Sequence, residues 1–77
     1  MINEKRIRID PEICFGKPHI KGTRITVSLI LEWLESGNSF EEIIEAYPHL
    51  TKEDISAAIR YARKILEEKF NAKIIEY

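Results

Sequence analysis

The sequence predicts a mostly α-helical domain in which a short N-terminal β-strand and a hairpin-like loop precede three helices arranged as a helix-turn-helix. Three observations lead to this prediction. Apolar residues recur at helical spacing in three stretches between residues 27 and 70. Each of these stretches begins and ends with residues that are typical of helix ends. The first 26 residues instead contain an alternating apolar and charged stretch at 6–10 and hold two of the three glycines.

The chain has 77 residues, a length that indicates one domain. We predict a strand and structured loop over 1–26, a three-helix core over 27–70 and a tail over 71–77. Its single cysteine, Cys14, excludes an intramolecular disulfide. A chain this short must therefore be stabilised by helix packing or self-association. No apolar run approaches the roughly 20 residues of a membrane span. The N-terminus lacks an apolar signal core, so we expect a cytoplasmic protein.

The N-terminal part reads as strand and turns. In residues 6–10, "RIRID", Ile7 and Ile9 alternate with charged residues, which predicts a half-buried strand. Pro11 ends it, because proline has a fixed φ and no amide hydrogen. Residues 13–25 contain two glycine turns and are expected to be hairpin-like or irregular. The apolar residues expected to anchor this segment over the helices are Ile13, Phe15, Ile20 and Ile25.

The first helix is predicted over about 27–36. Thr26 is a suitable N-cap, and Gly37 stands where a left-handed glycine commonly follows a helix. The apolar stripe consists of Val27, Ile30, Leu31 and Leu34.

Capping signals also place the second and third helices. Ser39 and Glu42 have the spacing of a capping box, in which each side chain bonds the backbone of the other. This second helix ends at the next proline. Thr51 and Asp54 repeat the spacing before a third helix of about 52–69, although aspartate is shorter than the usual glutamate. The third stripe consists of Ile55, Ala58, Ile59, Ala62 and Leu66.

Charge is unevenly distributed along the chain. Residues 1–24 carry a net charge of +3, residues 25–50 have five glutamates and no basic residue, and residues 51–77 carry +1. The front end is therefore the candidate nucleic-acid surface, as a strand and loop that contact phosphates or as a paired ribbon. Alternatively, the charges keep an edge strand soluble. The candidate residues are Arg6, Arg8, Lys17, Lys21 and Arg24.

Docking through a recognition helix is less favourable. The third helix would present its first turn to DNA. That turn contains Glu53 and Asp54, whose carboxylates would meet the phosphate field.

The sequence lacks the residues that a phosphate-binding loop, a zinc site or a catalytic site requires. A P-loop needs four residues between its glycines and a lysine before the hydroxyl residue, whereas five residues separate Gly16 from Gly22 and Thr23 follows directly. Cys14 and the two histidines are too few for structural zinc. Cys14 and His19 could meet across a turn, but no third group or oxyanion hole accompanies them. We therefore expect no catalytic residue, cofactor or metal.

Surplus apolar surface favours protein binding. Leu29 and Trp33 are four residues apart and share a helix face turned away from the first stripe. They either pack on the front loop or form an interface, where tryptophan is a frequent anchor. The exposed backbone of an edge strand could also pair with its copy in a homodimer. The candidate interface residues are Leu29, Trp33, Phe70, Ile74, Ile75 and Tyr77.

Two stretches, "IDPEICFGKPHIKGTRITV" and "LESGNSFEEIIEAYPHLTKEDISAAIRYA", resemble the small prokaryotic family known as domain of unknown function 433. The resemblance spans about residues 7–62. Its most specific parts are Gly16-x-Pro18-x-Ile20-x-Gly22-Thr23-Arg24-Ile25 and Tyr47-Pro48-x-Leu50-Thr51.

The resemblance implies a homeodomain-like three-helix fold. It also implies an antitoxin-like protein of VapB type, encoded beside a PIN-like ribonuclease toxin. We expect such a protein to bind the toxin, with contacts in the C-terminal tail, and to bind operator DNA in addition. The alternatives are a stand-alone helix-turn-helix regulator and an adaptor module without DNA binding.

Overall fold

The computed structural model describes residues 4–70, with side chains through residue 68. Two short strands and a 3-10 turn precede three helices, which confirms the predicted mostly α architecture. In chain order the elements are β1 (Ile7–Arg8), the 3-10 turn (Cys14–Gly16), β2 (His19–Ile20), α1 (Val27–Glu35), α2 (Phe40–Ala46) and α3 (Lys52–Phe70).

The N-terminal strand is shorter than the sequence pattern predicts. β1 pairs antiparallel with β2, with Ile7 opposite Ile20 and Arg8 opposite His19. Ile9 lies beyond the pairing and is 60% exposed, so its expected place on a buried strand face is wrong. The backbone turns at Asp10, whose carbonyl accepts the Ile13 amide at 2.9 Å. This turn stops the strand before Ile9 can pair.

The predicted ends of α1 are confirmed. Thr26 Oγ1 accepts the Leu29 amide at 3.0 Å, which satisfies a donor that the first helical turn leaves free. The helix ends at Glu35, and Gly37 follows with a φ of +95°. A left-handed backbone there suits glycine, because the missing Cβ removes the steric penalty.

Both capping boxes are also confirmed. Ser39 Oγ accepts the Glu42 amide at 3.1 Å, and the Glu42 carboxylate accepts the Ser39 amide at 2.7 Å. At α3, Thr51 Oγ1 accepts the Asp54 amide at 3.1 Å, and the Asp54 carboxylate accepts the Thr51 amide at 3.0 Å. The shorter aspartate therefore completes the second box as glutamate does the first.

The core lies where α3 contacts α1, α2 and β1. The small side chains of Ala57 and Ala58 are fully buried, which lets neighbouring elements approach α3 closely. The predicted stripe of α3 is wrong at two positions, because Ile59 is 37% and Leu66 58% exposed. The remaining buried apolar residues are Ile7, Ile20, Val27, Ile30, Ile43, Leu50 and Ile55.

Trp33 packs against this core, although the helical spacing predicts a face turned away from the first stripe. Its ring meets that of Tyr47 edge-on, with centroids 5.6 Å apart, an arrangement that aromatic pairs favour. Leu29 on the same face is half-buried. Leu29 and the exposed part of Trp33 therefore both remain available for the predicted interface. Within residues 4–70, no helix is both long and apolar enough to span a membrane.

Candidate functional site

Arg6, the first of the predicted nucleic-acid residues, forms an ion pair within the protein although its side chain is 47% exposed. Arg6 Nη1 donates to Asp54 Oδ1 at 3.0 Å, and the Asp54 side chain is only 10% exposed. The same carboxylate accepts the Thr51 amide through its other oxygen. Arg6 thereby ties the N-terminal segment to the start of α3, and Asp54 already compensates part of its charge.

A second ion pair joins the same two parts of the chain. Arg60 Nε donates to Glu4 Oε2 at 2.8 Å, and the Glu4 side chain is 14% exposed. This hydrogen bond, together with the positive charge of Arg60, lowers the pKa of Glu4 below its ordinary value despite burial. We call Glu4, Arg6, Asp54 and Arg60 the strand–helix junction.

The other four predicted nucleic-acid residues are exposed and form no ion pair with the side chains described through residue 68. Arg8 points outward from β1, since its neighbour Ile7 is buried. Lys21 and Arg24 flank a tight turn in which Gly22 has a φ of +80°. Lys17 follows the 3-10 turn. We call this set the basic strand-loop surface: Arg8, Lys17, Lys21 and Arg24.

The 3-10 turn within this surface has a left-handed backbone. Cys14, Phe15 and Gly16 have φ values of 55°, 56° and 79°. For a non-glycine residue this conformation costs roughly 1–2 kcal/mol. Two backbone hydrogen bonds close the turn, from the Gly16 amide to Ile13 O and from the Lys17 amide to Cys14 O, each at 3.0 Å.

Phe15 stands at the tip of the left-handed turn with 97% of its surface exposed. The expectation that it anchors the loop over the helices is therefore wrong, because the left-handed backbone places its side chain outside the core. Ile20 is buried and Ile25 packs against the core as expected. The glycine at position 16 indicates a positive φ from the sequence alone. Nothing in the sequence indicates a positive φ at Cys14 or Phe15.

The Cys14 thiol and the His19 imidazole form hydrogen bonds within the loop. Cys14 Sγ donates to Arg24 O at 3.3 Å, which ties the left-handed turn to the turn around Gly22. His19 is buried, with Nδ1 3.2 Å from Lys17 O. Among residues 4–70, no three histidine, cysteine or acidic side chains come together as metal ligands.

An open apolar groove lies between α1 and α3, with a volume of about 400 Å³. A depression beside it shares Ser28 and Leu31 with the groove and adds Glu32 and Glu35, which places a carboxylate rim along one side. We call the apolar groove the α1–α3 groove. Its lining residues are Pro18, Val27, Ser28, Leu31, Tyr61, Ala62, Ile65 and Leu66.

The groove was not among the predicted sites. The sequence feature that indicates the groove is the number of apolar residues on α3. Leu66 extends the apolar stripe of this helix beyond its buried residues. Among the predicted interface residues, the side chain of Phe70 lies outside the described residues, as do Ile74, Ile75 and Tyr77 and the predicted tail 71–77.

Residues 7–62 match the model of a family described as "Protein of unknown function (DUF433)". The chain belongs to the DUF433 family. The match begins at β1 and ends within α3, so it covers all four residues of the basic strand-loop surface and the left-handed turn. The groove residues Ile65 and Leu66 lie beyond it.

A solved structure and a curated protein are similar to this DUF433 chain. The crystal structure of a DUF433 member from Anabaena variabilis ATCC 29413 has a TM-score of 0.75 and 36% identity, covering 82% of this chain and 62% of that one. The "Uncharacterized protein y4eO" of Sinorhizobium fredii (strain NBRC 101917 / NGR234) is 38% identical over 52 residues, 68% of this chain and 24% of its own length. The chain thus spans about a quarter of that curated relative.

Proposed function

We propose that this DUF433 protein is a non-enzymatic, antitoxin-like regulator that acts in the cytoplasm, binds a PIN-like ribonuclease toxin and binds operator DNA. The proposal is carried by one observation: the domain has two surfaces of opposite character. The basic strand-loop surface carries four cations without ion-pair partners among the described side chains, whereas the α1–α3 groove is apolar with a carboxylate rim. An antitoxin that also binds DNA requires one surface for the toxin and another for the nucleic acid, and these two surfaces are the candidates.

The α1–α3 groove fits a toxin segment that is apolar with basic residues beside it. Leu31 and Leu66 offer apolar contact, while Glu32 and Glu35 on the rim favour lysine or arginine in the partner. Residues 25–50 contain no lysine or arginine that would repel such a segment. Helices and extended segments commonly bind in grooves of this kind.

The basic strand-loop surface is the better candidate for DNA than the start of α3. Asp54 there is held by Arg6 and by the backbone of Thr51, so its carboxylate stays in place and Arg6 is engaged. Lysine and arginine on a strand and loop bind phosphates without a recognition helix. We also propose a homodimer, which matches the two-fold symmetry of many operators, and a monomeric mass at micromolar concentration would count against it.

Toxin binding is tested with the gene next to this one. If it encodes a PIN-like nuclease, we expect the two proteins to co-purify after co-expression and the nuclease to lose ribonuclease activity. Leu66→Glu should weaken this inhibition, because it places a carboxylate in the apolar groove. Ile9→Glu is the matched control, since Ile9 is 60% and Leu66 58% exposed and Ile9 lies outside the groove. Equal inhibition by both variants would place the toxin elsewhere, including the predicted tail 71–77.

The second candidate is a stand-alone DNA-binding regulator, which the basic strand-loop surface favours by itself. It predicts salt-sensitive DNA binding without any adjacent nuclease gene. An adaptor module predicts neither DNA binding nor nuclease inhibition. Gene context and a DNA-binding assay together therefore distinguish the three functions.

A further inference from the structure

We infer that Phe15 is a base-stacking residue: its ring packs on a nucleic-acid base while Arg8, Lys17, Lys21 and Arg24 hold the neighbouring phosphates. This inference rests on the nucleic-acid part of the proposed function and names the contact by which it is made.

Phe15 contributes little to the fold. Its side chain is 97% exposed, so it buries almost no apolar surface. Its φ of 56° is a conformation in which a bulky side chain is disfavoured. Glycine or asparagine would suit this position better. Packing and backbone preference therefore both leave the phenylalanine unexplained, and strained backbone of this kind is concentrated at functional sites.

The ring is held in a defined position by the turn beneath it. The two backbone hydrogen bonds of the left-handed turn fix the residues before and after Phe15. The Cys14 thiol then fastens the turn to the backbone of Arg24. A side chain presented in this way loses little additional freedom when it binds, which favours affinity.

Nucleic acid offers the two features that this surface lacks. The four cations attract negative charge, and no ion pair within the described side chains neutralises them. The ring needs a flat partner. Bases provide that face beside regularly spaced phosphates, and aromatic residues within a basic surface are a common way to bind single strands. In duplex DNA the same ring would insert between base pairs as an apolar wedge.

A protein pocket is a poorer partner for this ring. Aromatic anchors at protein interfaces are surrounded by contacts that exclude water. Phe15 is followed by Gly16 and Lys17, and its near-complete exposure means that no apolar neighbours surround it. A stacking contact needs only the ring and the adjacent cations.

The test compares Phe15→Ala with Ile9→Ala in the full chain. Alanine keeps the same left-handed backbone requirement and removes only the ring, while Ile9 is a second exposed apolar residue of the same segment. Three fluorescent probes are titrated by anisotropy: oligothymidylate and oligouridylate of about 12 nucleotides, and a duplex of two helical turns. We expect Phe15→Ala to lose about tenfold to a hundredfold in affinity for at least one probe, with Ile9→Ala unchanged. The probe affected separates single-strand stacking from duplex insertion.

Phe15→Trp supplies a direct signal of stacking. In a Trp33→Phe background it is the only tryptophan of the chain, so its emission should be quenched when a base stacks on it. The variant should also bind like the parent. Its circular dichroism spectrum checks the fold.

Three results would overturn the inference in different ways. If Phe15→Ala binds every probe like the parent and binding is still salt-sensitive, the stacking contact is wrong while nucleic-acid binding stands. If the parent binds none of the probes, the nucleic-acid part of the proposed function is wrong as well. Loss of nuclease inhibition by Phe15→Ala with unchanged nucleic-acid binding would assign the ring to a protein pocket.

Discussion

Arg6 and Arg8 are two residues apart and look equivalent in the sequence. In the structure, one arginine is paired with a carboxylate and the other is not. Arg6 belongs to the strand–helix junction, where its guanidinium is 3.0 Å from a largely buried carboxylate. Arg8 belongs to the basic strand-loop surface and forms no ion pair with the side chains described through residue 68. A count of basic residues therefore overstates the charge available to a partner.

The two regions should respond to substitution in opposite ways. At the junction, Asp54 is both a capping residue and an ion-pair partner, so its loss leaves backbone and side-chain donors unsatisfied. On the basic strand-loop surface, the four cations are exposed and form no ion pair with the side chains described through residue 68. Neutralising them should change binding and leave the fold intact.

The largest effect is expected from the triple substitution Arg8→Ala, Lys21→Ala and Arg24→Ala. If each residue neutralises one phosphate, the slope of log affinity for duplex DNA against log salt should fall by about 0.9 per residue. We expect affinity to fall roughly a hundredfold at moderate salt. Arg6→Ala is the control and should leave the slope unchanged. An equal fall for Arg6→Ala would mean that its ion pair with Asp54 opens on binding.

Asp54→Ala tests the junction itself. The substitution removes a capping acceptor and the partner of Arg6, so we expect the free energy of unfolding to fall by about 2 kcal/mol. Urea denaturation followed by circular dichroism measures this value. Glu53→Ala is the control, because Glu53 is exposed in the same helical turn, and it should cost no more than about 0.5 kcal/mol. Similar losses for both variants would contradict the structural role of Asp54.

Sequence reasoning succeeded where structure depends on neighbours along the chain. Ser39 with Glu42, and Thr51 with Asp54, are three residues apart, and their spacing alone predicted both helix starts. The bond between Arg6 and Asp54 joins residues 48 apart, so no local pattern reveals it. The same holds for the α1–α3 groove, which exists only because two distant helices pack together.

Phe15 shows a different limit of the sequence. As an apolar residue between two turns it is predicted to anchor the loop over the helices, but a left-handed backbone places its side chain outside the core. Phenylalanine has no preference for that conformation, so its identity carried no signal.

Phe15→Gly measures what the left-handed turn costs. Glycine relieves the steric penalty at a φ of 56° but gives the unfolded chain more freedom. We expect these effects to nearly cancel or to leave a gain of up to about 1 kcal/mol in the free energy of unfolding. Ile20→Gly is the opposite case within the same loop, because Ile20 is only 2% exposed. This variant should lower the free energy of unfolding by several times more than about 1 kcal/mol. A large loss for Phe15→Gly would show that the ring packs in solution.

The smallest effect is the pH dependence of the ion pair between Glu4 and Arg60. Because Arg60 lowers the pKa of Glu4 in the folded protein below its ordinary value of 4.5, the pair stabilises the fold fully above that value. The contribution is lost as pH falls through the lowered pKa, when the carboxylate takes up a proton. Arg60 is 42% exposed, so we expect at most about 1 kcal/mol. Urea denaturation at neutral and acid pH should show a smaller acid-induced loss for Glu4→Gln than for the parent. In an Arg60→Gln background the difference should vanish, and its persistence would assign the lowered pKa to another group.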